Sequence, residues 1–358
     1  MPLKYDEELA RIAECVRELL QDQSLHPQFN PPELQKAVLA YPTRGGKFMR
    51  PALTAWCCRA LGGDEKIALQ AGLAIELYHT YTLVHDDVID RDPVRRGKPS
   101  VHKLLAGVGG EKYGLTDEAA HYGVSMAILA GDCLQSWAVL LLATLPRNFD
   151  IDPLVVLRII RRLQGQVGPA ICEGEVRDIQ LPYIPVNMVT QDDILRVILT
   201  KTAALFGFCA WTGSLLALGH EKEDEHVYTL AAFAERAGIA FQLQDDVLGI
   251  VGDQSTLGKP IGGDLREGKR TLIIALAWER ATDAERELLS GVLGNHAATP
   301  AEIIATTELL VRLGAVADVQ ARANQYRDEA LGYLEQLPEN EAIGYLRELA
   351  SSMVQREK

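Results

Sequence analysis

The stretch Tyr78–His102, YHTYTLVHDDVIDRDPVRRGKPSVH, places four aspartates within seven residues and follows them at once with paired arginines. On a helix, Asp86 and Asp90 stand four apart and Asp87 and Asp90 three apart, so their carboxylates can share one face. At about 5 Å and an effective dielectric near 20, each like-charge pair costs roughly 3 kcal/mol. A hard divalent cation reverses that sign, and Mg²⁺ binds one or two carboxylates together with substrate phosphate oxygens. A DDxxD motif taken alone is more often an acidic face that water solvates; here the apolar YTLV before it and the basic RDPVRRGK after it favour a magnesium site.

Basic residues follow these aspartates and recur at two other places along the chain. They are Lys47 and Arg50 in TRGGKFMRP, Arg95 and Arg96 in RDPVRRGK, and Lys259 and Lys269 in GKPIGGDLREGKRT. A second acidic pair, Asp245 and Asp246, comes after an apolar run and before the last of these clusters. Two acidic segments and three basic ones suit two polyphosphate substrates that metal ions bridge.

Apolar residues recur with a helical period almost everywhere, as in DEELARIAECVRELL and EAIGYLRELASSMV. We find no alternating strand pattern, no hairpin signal and no glycine-rich phosphate loop after a strand. The helix that carries the first aspartates is predicted to begin near Asp64 and to be ended by Pro93. No linker or composition break marks a boundary, so we predict one all-helical domain over residues 1–358.

The composition is that of a soluble protein. The 358 residues are 47% hydrophobic, and the net charge of −13 argues against nucleic acid or an anionic membrane as a partner. The uncharged run Thr202–Gly219 is long enough to be a membrane candidate, but its glycines and hydroxyl residues favour a buried helix. Six cysteines without metal-type spacing and an acidic, amphipathic N-terminus predict a reduced, cytoplasmic protein without stable membrane insertion.

In the order and spacing of its motifs, the sequence resembles the trans-isoprenyl diphosphate synthases, or polyprenyl synthetases, from about residue 10 to residue 350. The family's GGKRxRP appears as GGKFMRP at Gly45–Pro51, and its first aspartate-rich motif as DDVIDRDPVRRG. AILAGDCL, KTAALF and FQLQDD with the basic loop after it match further family motifs. The resemblance implies the isoprenoid synthase fold, a single large bundle of roughly ten or more helices around a central apolar cavity.

The resemblance also implies a role for each candidate residue. Mg²⁺, as three ions when diphosphate is bound, would be held by Asp86, Asp87, Asp90 and Asp245 with opposing carboxylates; Asp246 and Lys201 would complete the catalytic set. The allylic diphosphate would be contacted by Arg95, Lys201, Lys259 and Lys269, assisted by Thr202 and Gln242. Isopentenyl diphosphate would be bound by Lys47, Arg50, His79 and Arg96. His79 could instead only pack within its helix, but it lies two turns before Asp86 on the same face.

The implied reaction is a head-to-tail, trans prenyl transfer, and the implied assembly is a homodimer. The allylic carbon–oxygen bond ionises while metal and cationic side chains stabilise the departing diphosphate. The double bond of isopentenyl diphosphate then attacks the allylic cation and a proton is lost. No side-chain nucleophile is required.

Product length is predicted from the residues that precede the first aspartates. Tyr81 lies five residues before Asp86, about 7.5 Å up the helix axis, where an aromatic ring can act as a floor for the growing tail. Thr82 is small and leaves more room than a second aromatic residue would. The first motif also lacks an insertion seen in many bacterial farnesyl synthases. These features favour a 20-carbon geranylgeranyl product over 15-carbon farnesyl diphosphate. The alternative is that Tyr81 packs in the core and another residue sets the floor.

Three positions depart from the family pattern. Gly249 stands where many members place the third aspartate of the second motif, and Asp253 is a candidate to replace it. Glu175 replaces glutamine in GEVRD, and Phe48 replaces a common basic residue in the first motif.

Two other classes remain open beside a prenyl diphosphate synthase. A terpene cyclase shares the fold and a DDxxD motif, but its second metal motif normally mixes Asn, Ser and Glu. A non-catalytic subunit of a heteromeric synthase tends to lose an aspartate motif, whereas this chain carries both.

Overall fold

The computed structural model describes residues 4–220, 224–251 and 262–355. Within these ranges the secondary structure is helical apart from one short β-hairpin. The predicted all-helical class is confirmed.

The α-helices are numbered in chain order. The earlier ones are α1 (Tyr5–Gln21), α2 (Pro32–Leu39), α3 (Met49–Ala60), α4 (Glu65–Ile89), α5 (Val101–Tyr113), α6 (Ala119–Ala143), α7 (Leu145–Asn148) and α8 (Pro153–Arg162). The later ones are α9 (Gly168–Gln180), α10 (Gln191–Val197), α11 (Ala204–Leu218), α12 (Glu225–Val251), α13 (Gly263–Glu267), α14 (Leu272–Arg280), α15 (Asp283–Val292), α16 (Pro300–Arg312), α17 (Ala315–Leu334) and α18 (Glu341–Val354). Among the described residues, π-helical turns occur at Leu163–Val167 and Ile198–Ala203, and 3₁₀ turns at Gln23–Leu25, Pro42–Arg44, Leu181–Tyr183 and Val186–Met188.

Two compact units make up the chain, and each is assembled from separated segments. As far as they are described, the first comprises residues 1–161, 209–227 and 340–342, and the second residues 162–208, 228–339 and 343–358. No single cut in the sequence separates them. The single domain over residues 1–358 stays a prediction.

In the first unit, α4 packs against α3 and α6, and α5 packs against α6. Trp56, Tyr78 and Trp137 are buried in this layer of helices. Gly72 of α4 allows close approach to α3, since a Cβ there would lie 2.8 Å from Pro51 Cα. Packing against α3 and α6 fixes the direction of α4, and the last turn of α4 carries the first aspartates.

Helix α4 begins and ends close to the predicted positions. The Asp64 side chain caps its N-terminus by accepting a hydrogen bond from the backbone N–H of Lys66 at 2.9 Å. Asp90 is the C-cap residue, so the helix ends shortly ahead of Pro93. The predicted helix over Asp86 and Asp87 is confirmed.

The expectation that the chain contains no hairpin is wrong. Strands β1 (Val94–Arg95) and β2 (Lys98–Pro99) pair antiparallel. The two connecting residues, Arg96 and Gly97, have φ of 53° and 71°, the left-handed backbone of a type I′ hairpin turn. Two-residue strands are too short to show alternation, and arginine is an unusual residue at positive φ. The hairpin therefore lacks the usual sequence signals.

In the second unit, α14 is buried along most of its length and packs against α10, α17 and the turn Val186–Met188.

The described chain contains two helical segments long and apolar enough to cross a membrane, Ala119–Ala143 and Gln191–Leu218. The second contains most of the uncharged run, and 67% of its most apolar window is buried. This burial agrees with the predicted core helix.

Candidate active site

The aspartates at the end of α4 point in two directions. The backbone N–H of Asp90 donates to the Asp86 carbonyl at 2.8 Å, so helical geometry persists to Asp90. The Asp86 side chain is 21% exposed and Asp90 is exposed, whereas the Asp87 side chain is 1% exposed. Asp90 therefore presents its carboxylate at the surface of the first unit, Asp86 is partly exposed with Oδ1 buried, and Asp87 faces the interior.

Both carboxylate oxygens of Asp87 are engaged. Arg95 donates to Oδ1 from Nε at 2.7 Å and also from Nη2, while the Tyr41 hydroxyl donates to Oδ2. The same hydroxyl accepts from the N–H of Val101, the first residue of α5, at 3.2 Å. Arg95 Nη2 also lies 3.4 Å from an oxygen of Asp86. Sequence reasoning missed Tyr41, because it belongs to none of the motifs that identified the site.

The ionisation of these partners follows from their surroundings. Burial and the hydrogen bond to Asp87 raise the pKa of Tyr41, so its hydroxyl stays protonated and can donate. Burial lowers the pKa of Arg95, but the hydrogen bonds and the charge of Asp87 outweigh burial and raise it. Asp87 therefore lies between Arg95, which stays positively charged, and the Tyr41 hydroxyl, which stays a hydrogen-bond donor.

Three residues predicted to bind isopentenyl diphosphate lie within electrostatic reach of one another in the first unit. Burial, followed by the charges of Arg50 and Arg96, lowers the pKa of His79 well below its usual range, so the ring is neutral at pH 7. Burial raises the pKa of Glu76, and the same two arginines oppose that rise. Lys47 is exposed in the loop before α3. The arginine pair supplies the charge of this cluster, and His79 can add a neutral hydrogen-bonding group.

The double glycine before Lys47 lets its loop approach Arg96. A Cβ on Gly46 would lie 3.2 Å from the Arg96 guanidinium, and Arg96 Nη1 donates to the Gly45 carbonyl. Phe48, which replaces a common basic residue, is buried and has a left-handed φ of 49°. Its ring belongs to the core, and Lys47 and Arg50 remain as the cations of this motif.

In the second unit, five predicted site residues line one pocket of about 410 Å³, its open mouth included. They are Lys201, Thr202, Gln242, Asp246 and Lys269. Thr202 donates to Gln242 Oε1 at 3.0 Å, and Gln242 donates to Asp246 Oδ1 at 3.1 Å. Asp245 is half-buried beside Asp246 on α12, and Lys259 lies outside the described residues. The structure therefore brings together side chains that are widely separated in the sequence.

Lys201 is held by two acidic residues that sequence reasoning did not assign to the site. Its Nζ lies 2.7 Å from Asp178 Oδ2 and 2.8 Å from Glu175 Oε2. Both carboxylates belong to GEVRD on α9, so the signal that could have found them was the motif itself. They hold the ammonium group of Lys201 at the edge of the pocket.

The backbone that carries Lys201 is the π-helical turn Ile198–Ala203. A Cβ on Gly174 would lie 2.5 Å from Lys201 N and 2.7 Å from Thr200 Oγ1, so α9 and this turn meet without a side chain between them. A π-turn inserts an extra residue into a helix, and such turns are frequent at functional sites. Close backbone contact at Gly174 brings Lys201 within reach of the carboxylates on α9.

Two carboxylates, Asp178 and Asp246, and three basic side chains, Lys201, Lys269 and Arg270, line this pocket. Burial raises the pKa of Asp246 to about 7, against the opposing effect of Lys269, whose Nζ lies 3.8 Å from Oδ1. Burial lowers the pKa of Lys269, but Asp264 and Asp246 outweigh burial and raise it, so the lysine stays charged. Since Lys201 and Lys269 are already paired with carboxylates, further positive charge would strengthen the binding of an anionic diphosphate here.

A different carboxylate lies next to the missing third aspartate of the second motif. A Cβ on Gly249 would lie 3.1 Å from Asp264 Oδ2, which is closer than ordinary van der Waals contact. Sequence reasoning missed Asp264 because it lies in a separate helix, α13, so spacing along α12 does not connect it to Gly249. Asp253, the predicted replacement, lies outside the described residues.

The predicted length-determining residues lie one to two turns before the first aspartates. Tyr81 packs edge-on against Tyr78 and His85, with ring centroids 4.7 Å and 5.6 Å away. Thr82 Oγ1 donates to the His79 carbonyl at 2.7 Å, so its hydroxyl is turned to the backbone. These two aromatic contacts restrict the movement of the Tyr81 ring. A residue that limits the length of a cavity needs such a fixed position.

The donor chemistry at these sites suits magnesium. Within the described residues, no group of three or more His, Cys, Asp or Glu side chains is arranged to hold a metal ion by itself. Mg²⁺ usually binds through one or two carboxylates together with substrate phosphates. The surface carboxylates of Asp86 and Asp90 are hard donors of that kind, so the residues present fit an ion that binds together with diphosphate.

Comparison with known proteins agrees with this chemistry. A polyprenyl synthetase family model matches residues 31–310. A short chain isoprenyl diphosphate synthase of Methanothermobacter thermautotrophicus is 34% identical over 96% of this chain and 95% of its own. The crystal structure of a geranylgeranyl pyrophosphate synthetase from Pyrococcus horikoshii is 34% identical and covers 99% of this chain and 100% of its own, with a TM-score of 0.84.

A geranylgeranyl pyrophosphate synthase from Corynebacterium glutamicum, solved with isoprenyl diphosphate and magnesium, is 27% identical. It covers 99% of this chain and 100% of its own, with a TM-score of 0.85. The chain therefore belongs to the polyprenyl synthetase family. The predicted class of enzyme, a trans-prenyltransferase, is confirmed.

We expect Asp87→Ala to destabilise the fold and Asp86→Ala to leave it nearly as stable as the wild type. The first change removes the partner of a largely buried Arg95, which should cost about 3–5 kcal/mol. The second removes a partly exposed carboxylate with a longer contact, which should cost less than about 1 kcal/mol. Urea unfolding measures both free energies. Equal stabilities of the two variants would contradict the buried arrangement of Asp87.

Proposed function

We propose that this enzyme condenses isopentenyl diphosphate with an allylic diphosphate and makes mainly geranylgeranyl diphosphate. The pocket lined by Lys201, Thr202, Gln242, Asp246 and Lys269 carries the proposal. Its basic side chains can bind a diphosphate, and the carboxylates already paired with Lys201 and Lys269 suit a diphosphate that arrives with divalent cations. The 20-carbon product is supported by two of the relatives described above, which are named geranylgeranyl pyrophosphate synthases. Farnesyl diphosphate is not favoured.

In this proposal Arg95, Lys201, Lys259 and Lys269 bind the allylic diphosphate, and Thr202 and Gln242 orient it. Their charges stabilise the departing diphosphate, so the allylic carbon–oxygen bond breaks and its electron pair leaves with the oxygen. Bound magnesium would neutralise further negative charge on that leaving group. The isopentenyl double bond, held beside the allylic carbon, then forms the new carbon–carbon bond. A proton passes to the released diphosphate and leaves a new double bond.

The two remaining sets of residues bind the second substrate and the metal. Lys47, Arg50 and Arg96 bind isopentenyl diphosphate as cations, and the neutral His79 adds a hydrogen bond. The proposed magnesium ligands are the carboxylates of Asp86, Asp87, Asp90 and Asp245, for three ions when diphosphate is bound. Asp86 and Asp90 are the ones with accessible side chains in the first unit. A solved relative that binds isoprenyl diphosphate together with magnesium supports the use of a divalent cation.

The purified chain, supplied with Mg²⁺, isopentenyl diphosphate and dimethylallyl, geranyl or farnesyl diphosphate, should form mainly a 20-carbon diphosphate. Chelation should abolish turnover and added Mg²⁺ should restore it, because the acidic residues repel an uncompensated diphosphate. Asp86→Ala should lower turnover by orders of magnitude while helicity stays intact. Product sizing and circular dichroism measure these outcomes.

Other outcomes of that assay identify the alternatives. A cyclic hydrocarbon product would indicate a terpene cyclase, and an inactive but folded chain would indicate a non-catalytic subunit. Full activity after chelation would contradict the role of the metal.

Tyr81→Ala is expected to lengthen the product by one or more five-carbon units. The ring limits the space for the growing tail in this proposal, and its removal opens that space. Product sizing of the variant and of Tyr183→Phe, a control at an exposed tyrosine, tests this. An unchanged distribution from an active Tyr81→Ala enzyme would remove Tyr81 as the length-determining residue.

We further propose a cytoplasmic homodimer without stable membrane insertion. Helix α6 is strongly apolar, yet only 44% of its most apolar window is buried, and it exposes Ile128, Leu129 and Leu140. An apolar helix face of this kind suits the core of a subunit interface.

Sedimentation should give twice the chain mass for the wild type, and Leu129→Asp should shift the protein toward monomer because a charge would be buried at the interface. Ile304→Asp, at an exposed apolar residue of α16, is the matched control and should stay dimeric. Dimers of equal stability for both variants would place the interface elsewhere.

A further inference from the structure

The hydrogen bonds around Asp87 are unevenly distributed. Arginine often pairs with both oxygens of a carboxylate through two parallel hydrogen bonds. Here Arg95 Nε and Nη2 both donate to Oδ1, and the Tyr41 hydroxyl occupies Oδ2. In this orientation Arg95 Nη2 also lies 3.4 Å from an oxygen of Asp86. The phenol and the guanidinium of Arg95 thus occupy different oxygens of Asp87.

Tyr41 is itself fixed from two sides. Its hydroxyl accepts from the Val101 N–H at the start of α5, 3.2 Å away. The guanidinium of Arg44 lies 4.8 Å from the centroid of its ring and donates to the carbonyls of Pro99 at 2.8 Å and Arg95 at 3.4 Å. Arg44 therefore ties the phenol to the hairpin that carries Arg95. With 4% of its surface exposed, Tyr41 has little freedom to leave this position.

We propose that Tyr41 is a positioning residue for the reaction: by occupying one oxygen of Asp87, it turns Arg95 toward Asp86 and toward the diphosphate that binds there. The inference rests on the proposed function, in which Arg95 contacts the allylic diphosphate. Tyr41 touches no substrate and acts only through Asp87 and Arg95.

Tyr41→Phe removes the hydroxyl and keeps the ring. We expect the KM for geranyl diphosphate to rise about tenfold, the effect of weakening one hydrogen bond to a charged group. The KM for isopentenyl diphosphate should stay within about twofold, because the hydroxyl that is removed is engaged by Asp87 and Val101. A merely structural role would lower the active fraction, and so kcat, with both KM values unchanged. Such a result would overturn the proposal.

A second comparison tests whether Tyr41 acts through Arg95. In the Arg95→Gln background, Tyr41→Phe should change the KM for geranyl diphosphate by less than about twofold, because two residues acting through one path are not additive. Multiplicative effects of the two changes would contradict the inference. Wild-type enzyme that fails to couple the two substrates would refute the proposed function itself. An active wild type with normal KM values in Tyr41→Phe would refute only the role of Tyr41.

Discussion

A carboxylate with 1% of its side chain exposed keeps its charge only if protein groups replace the water it has lost, and Asp87 is such a carboxylate. Its partners come from three separate segments: Tyr41 from the loop before α3, Arg95 from the hairpin, and Val101, through the Tyr41 hydroxyl, from the start of α5. Satisfying one buried charge thereby fixes the surroundings of the last turn of α4. The partly exposed Asp86 and the exposed Asp90 extend from this fixed turn.

In the second unit the groups that need partners are cations, and carboxylates supply those partners. Lys201 and Lys269 are each surrounded by carboxylates, so in the substrate-free protein the cations are neutralised internally. The pocket can then stay open without a large net positive charge, which suits a chain with a net charge of −13. A diphosphate with its accompanying cations can exchange with these internal ion pairs rather than meet unpaired lysines.

The sequence predicted the all-helical class, the course of α4 and the pocket residues of the second unit, because each rests on local periodicity or on a recognisable motif. Tyr41 was not predictable in this way, since its role depends on one hydroxyl reaching an oxygen 46 residues further along the chain. The hairpin was missed because two-residue strands have no period. The inward direction of Asp87 was also missed, because spacing on a helix gives relative angles and not which side the core occupies.

Gly249 and Asp264 show how a site can keep a charge while its motif loses one. A side chain at position 249 would come within 3.1 Å of the Asp264 carboxylate, so the two positions share one volume. An aspartate introduced at 249 would meet a like charge in a place with little room. Gly249 in α12 and Asp264 in α13 are therefore coupled positions, since a side chain at one limits which side chain fits at the other. The sequence motif in α12, compared by itself, has lost a carboxylate at position 249. The structure places the carboxylate of Asp264 beside that position.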